Sequence, residues 1–222
     1  PDRINDKKNI RNLICQLFRI NSLSEKYAAF RGLLITITSY RCYNHFFQKN
    51  LRLTKRYNGY SELEKYYPDA DIYMTGSDQV WNSYHNQGID YVFYLKYVPD
   101  EKQKVAYAAS FGKEKLDDWE VEPTSQLLKR YNAISVRESS GLDILKSIGI
   151  KDAQWVLDPT FLLTSKEWRK RAVPHNDNER YVLIYSVEPD KQSMIKAARS
   201  IADKIGAKVY MVEWGRKPYP GV

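Results

Sequence analysis

The chain has 222 residues, 43% of them hydrophobic, enough to bury one full core and part of a second. No apolar stretch approaches the roughly 20 residues of a membrane-spanning helix, and the opening residues carry no signal-peptide pattern. Cys15 and Cys42 show neither CxxC spacing nor histidine neighbours, which argues against a disulfide framework or a metal site and for a cytoplasmic setting.

The net charge of +8 is local. Residues 1 to 60 hold 12 Lys and Arg against 3 Asp and Glu, a net of +9, while residues 61 to 222 hold 23 against 24. Such a segment suits a phosphate-bearing substrate, an anionic membrane surface or nucleic acid, or is simply a solvated helix face, the reading favoured here. From Ser22 to about Asn50, Leu23, Tyr27, Phe30, Leu34, Ile37, Tyr40, Tyr43 and Phe47 recur at the spacing of one helix face. Gly32 and the β-branched run Ile35 to Thr38 lower helix propensity and mark a place for a kink. Lys26, Arg31, Arg41 and Lys49 would let this helix lie on an anionic membrane, but packing against a sheet is preferred.

From residue 70, short apolar runs end in small or polar residues and lead into helix-like segments, the grammar of β-α-β units. Strands are predicted at Asp71 to Thr75, Lys104 to Ala109, Ala133 to Val136 and Gln154 to Leu157, and helices at Thr124 to Arg130 and Ser139 to Ser147. Crossover helices join parallel strands, so the sheet is expected to be parallel and Rossmann-like, forming an N-terminal α/β domain over residues 1 to 173. Pro174 to Glu179 reads as a linker. Residues 180 to 222 begin a second α/β domain: a strand at Tyr181 to Val187, a helix capped by Asp190 or Ser193 and ended by Gly206, and a strand at Lys208 to Glu213. One such unit cannot cover both faces of a sheet, so more of that domain is expected elsewhere.

Three loops carry the chemistry. Ligands of open α/β sheets bind beyond the carboxyl ends of the strands, where Gly76, Ser77 and Asp78 follow the first strand. Gly76 permits close backbone approach, Ser77 offers a hydroxyl, Asp78 is a base or a helix cap, and Trp81 is a sugar-stacking ring or, on local chemistry, a core residue. Ser110 follows the second strand, whose small residues Ala106, Ala108 and Ala109 admit a neighbour or a ligand. Arg137 and Glu138 follow the third. There a guanidinium can clamp phosphate or carboxylate, or form an ion pair with Glu138. Asp158 is mainly structural, a cap before Pro159. His45, His85 and His175 lack metal-ligand spacing, and neither a GxxxxGK[ST] nor a GxGxxG loop occurs. Nor does any nucleic-acid-binding motif.

In order, GSDQVWN at 76 to 82, YAASFG at 107 to 112, ISVRE at 134 to 138 and LDPTFLL at 157 to 163, preceded by NHFFQKNLRLT at 44 to 54, resemble the polysaccharide pyruvyl transferase family. The resemblance implies a GT-B-like pair of domains and transfer of a pyruvyl unit from phosphoenolpyruvate to a sugar or lipid-linked glycan, giving a pyruvate ketal in a surface polysaccharide or exopolysaccharide. The donor is a substrate, no cofactor or metal is implied, and the enzyme would be cytoplasmic and peripheral at the membrane face. Substrate binding falls to Gly76, Ser77, Asp78, Ser110, Arg137 and Glu138. Family members usually open with a loop resembling HNYGAVLQ and carry late a segment resembling DSFHG, whose His is the expected acid. This chain shows neither, so the catalytic His is expected beyond Val222 and the polypeptide alone is expected to be inactive. The rival readings are a GT-B-like glycosyltransferase using a nucleotide-sugar and a non-catalytic sugar- or anion-binding module.

Overall fold

A computed structural model describes residues 22–172, 179–187 and 191–212. The apolar runs become strands β1 (Ile72–Thr75), β2 (Gln103–Ala109), β3 (Ala133–Val136) and β4 (Gln154–Trp155), hydrogen-bonded in that order and all parallel. The chain is therefore α/β with a parallel, Rossmann-like sheet, as expected. The order follows the sequence because each crossover is short and moves one strand along. These strands belong to a compact unit, Thr54–Ala172. Its core gathers Trp81, Tyr94, Phe111, Leu128, Val136 and Leu145, all almost fully buried. Burying an aromatic or branched side chain contributes roughly 1.5 to 3 kcal/mol, so this cluster carries much of the unit's stability.

Helices α2 (Tyr60–Lys65), α3 (Ser83–Asn86), α4 (Asp118–Leu128), α5 (Ser139–Ser147) and α6 (Ser165–Arg171), with a 3-10 turn at Pro159–Leu162, complete the unit. Helix α4 corrects the expectation of a start at Thr124: it begins at Asp118 and includes Pro123. The Glu120 carboxylate reaches back to the Asp117 N–H at 2.8 Å, a capping box that starts the helix ahead of the proline. Strand β4 ends at Trp155 rather than Leu157, although Val156 N–H still donates to the Val136 carbonyl at 2.9 Å.

The described residues of a second unit comprise helix α1 (Leu23–Asn50) and the β5 (Tyr181–Tyr185), α7 (Gln192–Ile205), β6 (Lys208–Val212) motif. Among the described residues, helix α1 and the segments from residue 179 onward cluster as this one unit. Helix α1 runs 28 residues without a break at Gly32, and every residue from Arg41 to Asn50 is exposed. Strands β5 and β6 are parallel, and α7 packs Ile195 and Ala198 on Ile184, with Val182 and Val209 beside them. The alternate residues Tyr181, Leu183 and Tyr185 are exposed, so one face of this ribbon is covered and the other is open among the described residues. Cys15, His175, Asp190, Val222 and the expected linker up to residue 178 lie outside the described residues. The expectation of a catalytic His beyond Val222 falls outside them as well.

Candidate functional site

Parallel strands bring the segments that follow them to one edge of the sheet, and the backbone then binds those segments together. Asp78 bridges Ala109, Ser110 N–H donates to the Asp78 carbonyl at 3.0 Å, and Trp81 N–H donates to the Ser110 carbonyl at 3.1 Å. Arg137 N–H continues the strip by donating to the Ala109 carbonyl at 3.2 Å. Gly76, Ser77, Asp78, Ser110, Arg137 and Glu138 therefore all stand on the carboxyl rim of one sheet.

The close approach has a local cause in β2. The register slips between Ala106 and Ala109, and Ala108 takes a left-handed φ of 51°. The Ser135 hydroxyl fills the gap in the ladder, donating to the Ala106 carbonyl and accepting from Ala108 N–H, each at 3.1 Å. This bulge turns the Tyr107 carbonyl towards Gly76, where a Cβ would collide with the oxygen. The glycine also has a φ of 113°, and the Gly76–Ser77 peptide is cis. The small residues of β2 thus admit the neighbouring backbone.

Around that strip the polar side chains sort into interior and rim. Ser110 is fully buried, and its Oγ accepts from Gly112 N–H at 3.0 Å, so the hydroxyl shapes the loop from within. Asn82 Nδ2 donates to Gln79 Oε1 at 2.7 Å, while Asn82 Oδ1 caps α3 by accepting from Tyr84 and His85 N–H. Trp81 is a core residue: its ring stacks on Tyr94 at 5.7 Å and lies 5.1 Å from Phe111, so the sugar-stacking alternative for this residue fails.

The rim is dominated by Arg137. Its Nε donates to Glu138 Oε1 at 2.8 Å, Nη1 to Asp158 Oδ2 at 3.0 Å, and Nη2 to Asp78 Oδ1 at 2.9 Å. The fork that sequence reasoning assigned to a donor anion or to Glu138 alone is engaged by three carboxylates, from the segments after β1, β3 and β4. Three carboxylates against one guanidinium leave the cluster net negative. Burial draws the Arg137 guanidinium's pKa down, but its hydrogen bonds to Glu138, Asp78 and Asp158 outweigh that, and the net shift is upward. The Asp158 carboxyl is held below its usual range, first by the backbone N–H and hydroxyl of Thr160 and then by Arg137. Its structural assignment agrees with this geometry.

The carboxylates differ in freedom. Asp158 has a side-chain exposure of 29% and is tied to Thr160 as well, and Glu138 is 39% exposed; Asp78 is 82% exposed. Sequence reasoning gave Trp155 no role beyond its place in the strand expected at Gln154 to Leu157. The residue is 62% exposed, and its indole N–H donates to the Arg137 carbonyl at 3.0 Å. The Gln-Trp pair of a two-residue edge strand was the available signal. Among the described residues no cluster of His, Cys, Asp and Glu has metal-holding geometry, and no helix is long and apolar enough to cross a membrane.

The profile of the polysaccharide pyruvyl transferase family matches residues 7–214, nearly the whole chain. The chain belongs to the polysaccharide pyruvyl transferase family. No curated protein and no solved structure matches it. Family membership makes this sheet edge part of a transferase acting on polysaccharide, and within that family the four motif strings have physical roles here. GSDQVWN supplies the close-approach glycine, a rim carboxylate, a helix cap and a core ring; YAASFG supplies the bulge; ISVRE and LDPTFLL supply the guanidinium and two of its carboxylates.

Proposed function

We propose that this pyruvyl transferase takes its pyruvyl unit from phosphoenolpyruvate and delivers it to two hydroxyls of a sugar as a ketal, with the carboxyl rim of the four-stranded sheet forming part of the substrate site. A proton from an acid adds to the methylene carbon of the enol, a sugar hydroxyl bonds through its oxygen to the adjacent carbon and gives up its proton to a base, and phosphate leaves with the electron pair of the C–O bond that breaks. The second hydroxyl then closes the ketal, its proton passing to a base. Asp78 suits the base: it is the most exposed carboxylate of the cluster and Arg137 fixes its direction. The family match is the observation that supports this reading most directly.

With its fork held by three carboxylates, Arg137 is better read as the residue that positions Asp78 than as the donor's clamp. The two roles separate kinetically in a family member that also carries the late His segment, with the substitutions made at the positions matching Asp78 and Arg137. Asp78→Asn should lower kcat by about 100-fold or more with the KM for phosphoenolpyruvate nearly unchanged, and Arg137→Lys should follow the same pattern. A raised donor KM in Arg137→Lys, with kcat intact, would restore the clamp.

The reaction is tested in a family member that carries both the opening loop and the late His segment, incubated with phosphoenolpyruvate and methyl hexopyranosides or lipid-linked disaccharides, following released phosphate and the ketal methyl signal by NMR; this chain by itself should release no phosphate. Thermal stabilisation by phosphoenolpyruvate rather than by nucleotide-sugars separates pyruvyl from glycosyl transfer. Transfer that proceeds only with a nucleotide-sugar would overturn the proposal, and saccharide binding without any product would mark a binding module. The GT-B-like arrangement, a cytoplasmic location and a place at the membrane face belong to this same proposal.

A further inference from the structure

The rim has a chemical character that a donor-binding role does not explain. It is rich in hydrogen-bond acceptors, net negative, and carries an exposed aromatic ring at its β4 end. A phosphate would be repelled by the excess carboxylate charge. A neutral, polyhydroxylated ligand would be favoured, because each hydroxyl donates to a carboxylate and the C–H face of a pyranose is apolar.

Trp155 supplies the apolar half of such a subsite. Its indole N–H is spent on the Arg137 carbonyl, the carbonyl of the peptide that leads directly into Glu138. The ring is therefore anchored to the peptide that carries Glu138, and Arg137 Nε donates to the Glu138 carboxylate at 2.8 Å. An exposed aromatic anchored in this way has already lost its rotational freedom, so a ligand stacking on it has little ordering cost to meet. Asp78, held by the same guanidinium, provides a second oriented acceptor. The ring contributes flat contact area and the two carboxylates contribute direction, the usual division between apolar lining and a few placed polar groups.

We infer that Trp155, with Glu138 and Asp78, forms a stacking subsite for a neutral hexopyranose ring of the acceptor glycan. The inference rests on the transferase reading only in naming that sugar as the acceptor.

The test titrates the protein with neutral hexose tetrasaccharides, methyl hexopyranosides, inorganic phosphate and phosphoenolpyruvate while following the tryptophan indole N–H signals by 15N NMR, the Trp155 signal being assigned by its loss in Trp155→Phe. The saccharides should shift the Trp155 signal, and phosphate should not. Trp155→Ala and Trp155→Leu should weaken saccharide binding about tenfold, while Trp155→Phe, which keeps a flat ring, should stay within about threefold. Near-UV circular dichroism establishes that each variant is folded, and Trp155→Leu keeps the apolar bulk if the alanine variant does not fold. Wild-type affinity in Trp155→Leu, or saccharide shifts that bypass Trp155, would overturn the inference. Its failure is separable from that of the transferase reading. Wild-type saccharide affinity in Trp155→Leu, with ketal formation intact in a family member that carries the late His segment, removes the subsite alone, whereas saccharide binding at Trp155 with no phosphate release from phosphoenolpyruvate even in that family member removes the proposed reaction alone.

Discussion

Gly76 is the position where one methyl group would do most damage. An alanine Cβ there meets the Tyr107 carbonyl oxygen, at a backbone φ of 113° that side chains rarely tolerate. Gly76→Ala should cost about 3 kcal/mol or more, lowering the thermal midpoint by about 10 °C. An unchanged midpoint would mean that the loop is not pinned against β2. At Asp158 the argument concerns protons. Its folded pKa is depressed, so its contribution to stability is complete above the unfolded value of about 3.9 and is lost as pH falls through the lower folded value. Between roughly pH 5 and pH 2, the wild type should therefore lose more of its thermal midpoint than Asp158→Asn, whose curve is flatter. Solvent reaches this carboxylate and screens it, so the difference should be a few degrees. Parallel curves would show that the Thr160 and Arg137 contacts do not favour the ionised form.

Helix α4 sets two opposed forces side by side. Glu120 is almost fully buried and accepts from both Asp117 N–H and Lys113 Nζ, the latter at 2.6 Å, while Lys113 also reaches Ser83 Oγ at 3.0 Å. Glu120→Ala should lose about 2 kcal/mol or more, through the cap and through the partly buried ammonium it leaves behind. Pro123, inside the same helix, interrupts its hydrogen bonding. Pro123→Ala should stabilise by roughly 1 kcal/mol, the helical gain exceeding the entropy returned to the unfolded chain. Urea midpoints measured on both variants decide the signs. This helix also shows how the sequence is read and misread. The expected start at Thr124 lay beyond Pro123, although Asp117 and Glu120 already spelled a capping box ahead of it. The strands were legible because buried apolar runs have few other uses in a parallel sheet, and the rim positions followed from strand direction. Arg137's partners were not legible: Asp78 lies 59 residues before it and Asp158 21 after, and no local pattern links them. Trp155 was hidden by the shortness of β4, where alternation cannot be counted over two residues.

Across the chain, stability is divided between units with separate cores. Four of the five tryptophans, Trp81, Trp119, Trp155 and Trp168, belong to the unit Thr54–Ala172, Trp214 lies outside the described residues, and the 28-residue helix α1 belongs to the other unit. Tryptophan fluorescence and far-UV ellipticity should therefore give different urea midpoints, the ellipticity falling first as the more exposed unit melts. Coincident transitions would mean that the two units unfold as one. The basic excess is likewise unevenly placed, with a net of +9 in residues 1 to 60. Exposed charges of this kind act over about 8 Å at physiological ionic strength, so they bias encounters at short range only.

Lys104 lies in β2, near the strand's amino end and away from the rim. Its ammonium is sealed from solvent, donating to the Pro99 carbonyl at 2.5 Å and the Lys102 carbonyl at 3.1 Å. An amine so enclosed is out of reach of acylating reagents until the strand itself comes loose. Peptide mapping after timed acetylation would thus turn this one lysine into a clock: its labelling should lag behind that of the exposed lysines and report how often the middle of the sheet opens.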